Sequence, residues 1–539
     1  MAALAWNIRN HQKITSLNAM KTVLLQQRGL TTDSAVDEYF SLTLDRVDCN
    51  LPDMQKALHR IRKAITDGEK IVVYSDYDAD GICGVALLWR SLHRLGAHTL
   101  PFVPHREIDG YGLNPTVVSD LASDETKLII TVDCGITSAS GVEEANKHGV
   151  DVIITDHHTV PSTLPSAFAI LHDTRVCGTG VAWKLSRALL GEEAAEFLDL
   201  VAIATIADMV PLSGENRILA TLGLKALRST KNIGIHALLQ DAGVPTTEVD
   251  TFHIGFILAP RINALGRLSH ALPALRLLCT GDRLRARQLA RDLSEANAAR
   301  RTLTEQTLTH AFQLLEDNKQ DRLIFLGHET WHQGIIGLIA GRFAETFFKP
   351  TIIYSQGKER TKASCRSIPS FNIIEALRQC EDILVDVGGH PMAAGFTIEN
   401  KLLPVFARRI REIAKKTILP KDFVRMLEVE GEISPELCRI ETAEMLKTFA
   451  PFGVGNPEPV FCSRRVKLND VRLVGTEQNH LKLSLTDSPE LSIIGFKKGF
   501  FARTLRPGDV VDLAYTMEKD TWGGGERVTL KLKDVRKVA

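Results

Sequence analysis

An apolar run, Val72-Val73-Tyr74-Ser75, breaks off into Asp76-Tyr77-Asp78-Ala79-Asp80-Gly81, three carboxylates at alternate positions ahead of a glycine. Acids this dense repel one another unless a cation sits among them, so the segment restricts both the local fold and what must bind there. Ile71 to Ser75 reads as a short buried strand and Gly84 to Leu95 as the following helix, which puts the aspartates where a strand hands over to a helix. In an open α/β sheet that handover lies at the carboxyl edge, where ligands bind. Helix capping accounts for one of the acids but not for three.

The alternation continues with strands at 99–103, 128–132, 150–155 and 167–171 and helices at 138–148, 180–190 and 193–207. Such a pattern implies a largely parallel sheet with helices on both faces. Two more strands end in the same chemistry: Leu128 to Val132 runs into Asp133-Cys134-Gly135, and Val150 to Thr155 runs into Asp156-His157-His158. Neighbouring parallel strands that end this way converge on one edge. Asp208 is a fourth contributor, an acid inside an apolar helical run that Pro211 ends. Oxygen-rich sets with a histidine or two suit Mn²⁺ or Mg²⁺ better than zinc. There are enough ligands for two ions a few ångströms apart, an arrangement suited to in-line phosphoryl displacement by water.

A chain of 539 residues exceeds one core. Residues 1–50 hold two short helical patterns and read as an N-terminal helical cap on the first domain, the acid-bearing α/β domain at 51–281. Residues 282–316 form the longest helical pattern, with Leu289, Leu293, Ala296 and Leu303 on one stripe. At 1.5 Å per residue it spans roughly 50 Å, so it is expected to connect two domains. A second α/β domain is expected at 317–426. From 427 to 539 a helical lead-in gives way to short alternating runs such as Leu481-Lys482-Leu483-Ser484-Leu485. These fit a small antiparallel barrel of the OB type, the one most used on single strands. Net charge is zero for the whole chain, but Phe461 to Ala539 holds 15 Lys/Arg against 10 Asp/Glu, a modest signal for a phosphate backbone. No apolar stretch is long enough to span a bilayer, the N-terminus lacks signal-peptide features, and nine cysteines include no Cys-x-x-Cys pair. A cytoplasmic protein with reduced cysteines and no membrane partner is expected.

Asp76-Tyr77-Asp78-Ala79-Asp80-Gly81, Asp133-Cys134-Gly135, Asp156-His157-His158 and Asp208 stand in the order and spacing of the motifs of the DHH phosphoesterase superfamily. The chain resembles its single-strand-specific 5′-to-3′ DNA exonucleases, and the likeness runs on through Pro260 to Leu268, His332 to Gly337, Ser364 to Ser367, Gly388 to Gly395 and Pro451 to Pro459. The resemblance implies a parallel-sheet DHH domain, a long connecting helix, a DHH-associated domain and an OB barrel. It implies metal-dependent degradation of single strands to mononucleotides in DNA repair and recombination. Asp76, Asp78, Asp133, His157 and Asp208 would contact Mn²⁺ or Mg²⁺, as two ions, with Asp80, Asp156 and His158 as close support or phosphate contacts. The partner would be single-stranded DNA with a 5′-phosphate, a single-strand-binding protein and a helicase would assist, and the chain would act as a monomer. Ser75 and Cys365 stand where the family usually has glycine; the second is expected to stiffen a phosphate-binding turn.

Substrate handling falls to the remaining motifs. Gly388-Gly389 leaves backbone N–H groups free for a phosphate and His390 adds a donor. Arg261, Arg267 and Arg366 suit bidentate phosphate contacts, with Asn263 and Ser364 in the same motifs. Arg106 and Tyr111 offer a cation and a stacking face on the loop after the strand at 99–103. Gly178-Thr179-Gly180 lacks the lysine of a phosphate loop and reads as helix-start packing. Two other readings stay open. A superfamily phosphodiesterase for short oligonucleotides or nucleotide phosphoesters would need neither the barrel nor the long helix, and a scaffold that has lost its metals would not keep every carboxylate.

Overall fold

The computed structural model describes residues 4–315, 321–520 and 525–538, which form two compact units. The larger comprises the start of the chain to Ala5, Cys49–Asp208 and Gly223–Arg425. Its first sheet has five parallel strands in the order Thr99–Phe102, Lys70–Ser75, Thr126–Val132, Asp151–Asp156, Ala169–His172. The central strands are runs of branched aliphatic residues because helices cover both faces, and Val72, Ile129, Ile130, Val152 and Ile153 are all buried. The first three crossovers run through helices, as parallel connections usually do, and the last, from Asp156 to Ala169, does not. One of these helices, Pro115–Ser123, was not among the expected elements although Asn114 caps it and Pro115 opens it; it is only nine residues long.

The helix after the first strand begins at Ala79 rather than Gly84, with Asp78 as its N-cap. Asp208 terminates the helix Leu198–Ala207 instead of lying inside it. The long helix runs from Arg283 to Leu314, capped by Asp282; residue 316, its expected end, and 317, the expected start of the next domain, lie outside the described residues. Its first half packs on the helices Ile233–Asp241, Ala259–Leu268 and Leu272–Cys279, and its later part meets the strand Ile324–His328 and the helix Ile336–Phe347. It therefore connects the parallel sheet to a second, mixed five-stranded sheet in the order Asp386–His390, Ala393–Glu399, Arg360–Arg366, Thr351–Gln356, Ile324–His328.

The smaller unit comprises Trp6–Asp48, Met209–Leu222 and Met426 onward. Strands Phe461–Val474, His480–Leu485, Ser492–Gly495, Arg527–Lys537 and Val510–Asp520 pair in that order, and the last returns to the first to close a five-stranded barrel. Ile14, which bridges to Ile433, and Met20 and Leu24 of the helix Leu17–Gln27 are buried with the barrel core. The N-terminal segment from Trp6 therefore belongs with the barrel's unit and not with the acid-bearing one. Its apolar stripe found the barrel, a pairing across more than 400 residues that local periodicity does not reveal. Among the described residues no helix is long and apolar enough to cross a membrane.

Candidate active site

Register brings the acids together. Ser75 pairs with Val132 and Val132 with Thr155, so Asp76, Asp133 and Asp156 leave three adjacent strands at the same level. Asp133 turns at φ 61°, a left-handed conformation unusual for a side-chain-bearing residue and frequent at functional sites. His157 Nε2 lies 3.1 Å from Asp133 Oδ1, 3.7 Å from Asp208 Oδ2 and 3.9 Å from Asp80 Oδ2. Three sets of potential ligand atoms each cluster within 4.8 Å: Asp76–Asp78–Asp133, Asp80–His157–Asp208 and Asp133–His157–His158.

Each acid has a distinct local role. Asp78 Oδ1 accepts the backbone N–H groups of Asp80 and Gly81 at 2.9 and 3.2 Å, so it caps its helix as well as facing the cluster. Asp80 is gripped from outside its own helix: its oxygens accept the N–H groups of Gly178 and Thr179 at 2.7 and 2.8 Å. That is the N-terminus of the helix Gly178–Leu190, a favourable place for an anion. A Cβ on Gly178 would lie 2.5 Å from that of Asp133, so the glycine allows the approach. The Gly178-Thr179-Gly180 segment is therefore more than helix packing; it orients an acid of the cluster. Asp156 is fully occupied, accepting from Ile136 N, His157 N, His158 N and His158 Nδ1 at 2.7–3.1 Å.

The electrostatics call for a cation. Burial, with Asp78 next to it, pushes the Asp76 carboxyl well above the usual range. Burial and the surrounding aspartates do the same to Asp133, and Asp208 is pushed up to about 9. Asp76 Oδ1 and Asp133 Oδ1 are buried and make no hydrogen bond. Unpaired buried carboxylates of this kind are stable only when protonated or metal-bound. Burial lowers His157 toward the neutral form, the form that ligates metals. Burial also opposes charge on His158, but its hydrogen bond to Asp156 wins and raises it. An oxygen-rich donor set with a neutral imidazole fits Mn²⁺ or Mg²⁺. A crossing pair of melting temperatures follows: in chelator Asp133→Asn should be more thermostable than the parent chain, and in Mn²⁺ less, because only the parent gains the stabilisation of a bound ion.

Around this centre stand the groups expected to handle substrate. Arg106 lies over the Tyr77 ring, 5.1 Å from its centroid, within the acidic loop itself. Arg267 donates to Gly334 O at 3.4 Å, and its buried Nε has no partner. Burial, with the charges of Arg106, Arg300 and Arg366 adding and that of Asp78 opposing, brings Arg267 down to about 10. Arg366 donates to Ser364 Oγ at 3.3 Å and to Cys365 O at 2.8 Å. Its Nη2 and Ser364 Oγ lie against Gly337, at the start of the helix Ile336–Phe347. His390 stacks on His158 with centroids 6.4 Å apart, and thus joins the second sheet to the metal-type cluster.

The structure refines four expectations. Tyr111 remains 45% exposed, but its hydroxyl is tied in, donating to Asp133 O at 3.2 Å and lying 3.0 Å from His158 Nδ1. Arg261 does not stand with Arg267; it bonds Ser294 Oγ and Ile257 O at 3.0 and 2.9 Å and braces the long helix. Cys365 is buried within the strand Arg360–Arg366, not in a turn. Gly388 and Gly389 lie in a paired strand, Asp386–His390, where Gly389 takes φ 138°. Asn263 Oδ1 is buried without a hydrogen bond, on the same helix, Ala259–Leu268, as Arg267. Arg300, whose buried Nε also lacks a partner, was hidden among nine arginines between Arg261 and Arg301 that share no obvious pattern.

Fold and site define the class: the DHH family N-terminal domain matches residues 70–205 and the DHHA1 domain residues 320–416. Within that class a RecJ OB domain matches residues 429–534, and the chain belongs to the RecJ family. It is 34% identical to the single-stranded-DNA-specific exonuclease RecJ of Dickeya dadantii, over 96% of each chain. To that of Bacillus subtilis it is 35% identical over 98% of this chain and 70% of the relative. The crystal structure of Thermus thermophilus RecJ in complex with Mn²⁺ superposes with a TM-score of 0.85 at 30% identity, covering 99% of this chain and 80% of that one. The same protein with Mg²⁺ gives 0.78 at 29% identity, covering 99% and 79%.

Proposed function

We propose that this chain is a metal-dependent exonuclease that degrades single-stranded DNA from the 5′ end to mononucleotides, in DNA repair and recombination. The observation that carries the proposal is the convergence of unpaired buried carboxylates at one sheet edge with unpaired guanidinium groups beside them. Asp76, Asp78, Asp133, His157 and Asp208 would hold the ions, two in number. When bound, Mn²⁺ or Mg²⁺ supplies Lewis-acid polarisation of phosphoryl oxygens and a nucleophile from water at neutral pH. Asp80, fixed by Gly178 and Thr179, orients the cluster, and Asp156 holds His158 in place. His158 and His390, stacked, present imidazole donors to a phosphate at the domain boundary.

Direction must come from protein groups, because two ions treat either end of a phosphodiester alike. A 5′-phosphate is a dianion, and Arg106, Arg267, Ser364 and Arg366 form a cationic recess in which Asp76 draws on Arg106 and Asp78 on Arg267 without an ion pair to any of the three arginines among the described residues. Arg300 belongs to the same recess. A single strand is thin enough to reach it, whereas a duplex end is not. The reading extends to a cytoplasmic monomer supplied with single strands by a helicase and a single-strand-binding protein.

Strands labelled at one end test this directly. With Mn²⁺, a 5′-labelled single strand should release labelled mononucleotide at once while a 3′-labelled one shortens gradually, and blunt duplex should resist. Immediate release of label from the 3′ end would overturn the assignment of direction. Activity confined to dinucleotides or short oligonucleotides would favour the short-substrate phosphodiesterase instead.

A further inference from the structure

His157 opens a connection that no helix supports. The chain passes from Asp156 to Ala169 without one, and Val160 and Leu164 on the way are 46% and 50% exposed. A ligand at the start of such a segment keeps its geometry only if its backbone is fixed by other means. Two consecutive residues supply them, taking the two carbonyls that flank His157. Asp173 N–H donates to Asp156 O at 3.2 Å, and His172 Nε2–H donates to His158 O at 2.7 Å. The first bond continues the ladder in which Asp156 pairs with His172. The second comes from a side chain, and because a carbonyl only accepts, the His172 imidazole carries a proton on Nε2.

The strand end that bears His172 is itself anchored. The buried Asp173 carboxylate accepts Lys184 Nζ at 2.7 Å and Arg175 Nε and Nη2 at 2.8 and 2.9 Å. Burial opposes charge on Asp173, but the hydrogen bonds from Arg175 and Lys184 win and hold its carboxyl below the usual range. Lys184 is fully buried, and an ammonium group is tolerated there only when it is paired. It stands on the helix Gly178–Leu190, whose first N–H groups hold Asp80. One helix thus fixes Asp80 directly and, through Asp173, the strand end that carries His172.

We infer that His172 is a positioning residue for the metal centre: by holding His158 O it fixes the backbone that carries His157, and so sets where that imidazole stands against Asp133 and Asp208. His157 Nε2 faces both acids, at 3.1 and 3.7 Å, so a shift of its backbone moves a donor shared with each. Asp76 and Asp78 follow a different strand, Lys70–Ser75, and do not depend on this bond. The inference rests on the metal-dependent exonuclease reading and deepens it, because it predicts that the ion beside His157 is the one His172 tunes.

Calorimetric titration of the chelator-stripped full chain with Mn²⁺ tests this, alongside melting curves in chelator. His172→Phe keeps a ring of similar size and removes the donor. It should weaken one Mn²⁺ site about 10- to 100-fold and the other by about threefold or less. At sub-saturating Mn²⁺ kcat on a single strand should fall in step while KM holds, and the melting temperature in chelator should match the parent. His172→Gln, whose amide N–H can reach the same carbonyl, should restore the weakened site. Parent-like Mn²⁺ affinity in His172→Phe overturns the inference, as does an equal loss in His172→Gln or an equal weakening of both sites. If His172→Phe does not fold, His172→Ala decides by the same titration, and failure of both to fold overturns positioning in favour of a purely structural role. A parent chain that binds no Mn²⁺ would instead overturn the metal centre, and the exonuclease reading with it.

Discussion

Replacing Asp133 with alanine is expected to abolish hydrolysis of single-stranded DNA while leaving the fold and strand binding nearly intact. Asp133 is the acid shared by two of the three ligand clusters, and its Oδ1 lies buried without a hydrogen bond, 3.1 Å from His157 Nε2. Lewis-acid stabilisation of phosphoryl transfer amounts to several kcal/mol. With each 1.4 kcal/mol a factor of ten, the loss should be about a thousandfold or more in kcat. Single-turnover rates at saturating Mn²⁺ read the effect, and circular dichroism checks the fold. A variant that keeps a tenth of the parent rate would exclude Asp133 from the centre.

The second large effect concerns the terminus. Arg366→Ala should erase most of the preference for 5′-phosphorylated over 5′-hydroxyl single strands. The Arg366 guanidinium is partly buried, and the Gly337 position leaves the helix start open beside its Nη2. A charge-assisted contact of this kind is worth roughly 1.5–3 kcal/mol, or about 10- to 150-fold in kcat/KM. The 5′-hydroxyl strand should lose far less, since the contact it misses is the one removed. Equal losses on the two substrates would mean that Arg366 supports the Arg360–Arg366 strand and not the phosphate.

Elements whose chemistry is local were legible before the structure. The acid-tipped strands, the long helix and the barrel texture all follow from periodicity and from costly residues in apolar runs. Asp78 as helix cap and Asp208 as helix end differ by a few residues from expectation because an aspartate reads alike as a cap and as a ligand. What stayed hidden was long-range. Nothing near Gly178 announces that its N–H group holds Asp80, nearly a hundred residues earlier. Arg261 and Arg267 look equivalent on one helix, yet Ser294 captures the first while Arg267 turns toward Tyr77 and the acids. Tyr111 reads as a surface aromatic, and only the fold shows its hydroxyl on Asp133. The N-terminal helices had an apolar stripe but no sequence label for their distant partner.

The central claim, that the sheet edge is a metal centre built for phosphodiester hydrolysis, is tested most directly by crystals grown in Mn²⁺ and measured at the manganese absorption edge. Two anomalous peaks are predicted, one bounded by Asp76, Asp78 and Asp133 and the other by Asp133, His157 and Asp208. The absence of anomalous density among these side chains at saturating Mn²⁺, or ions held only elsewhere on the chain, would contradict the account.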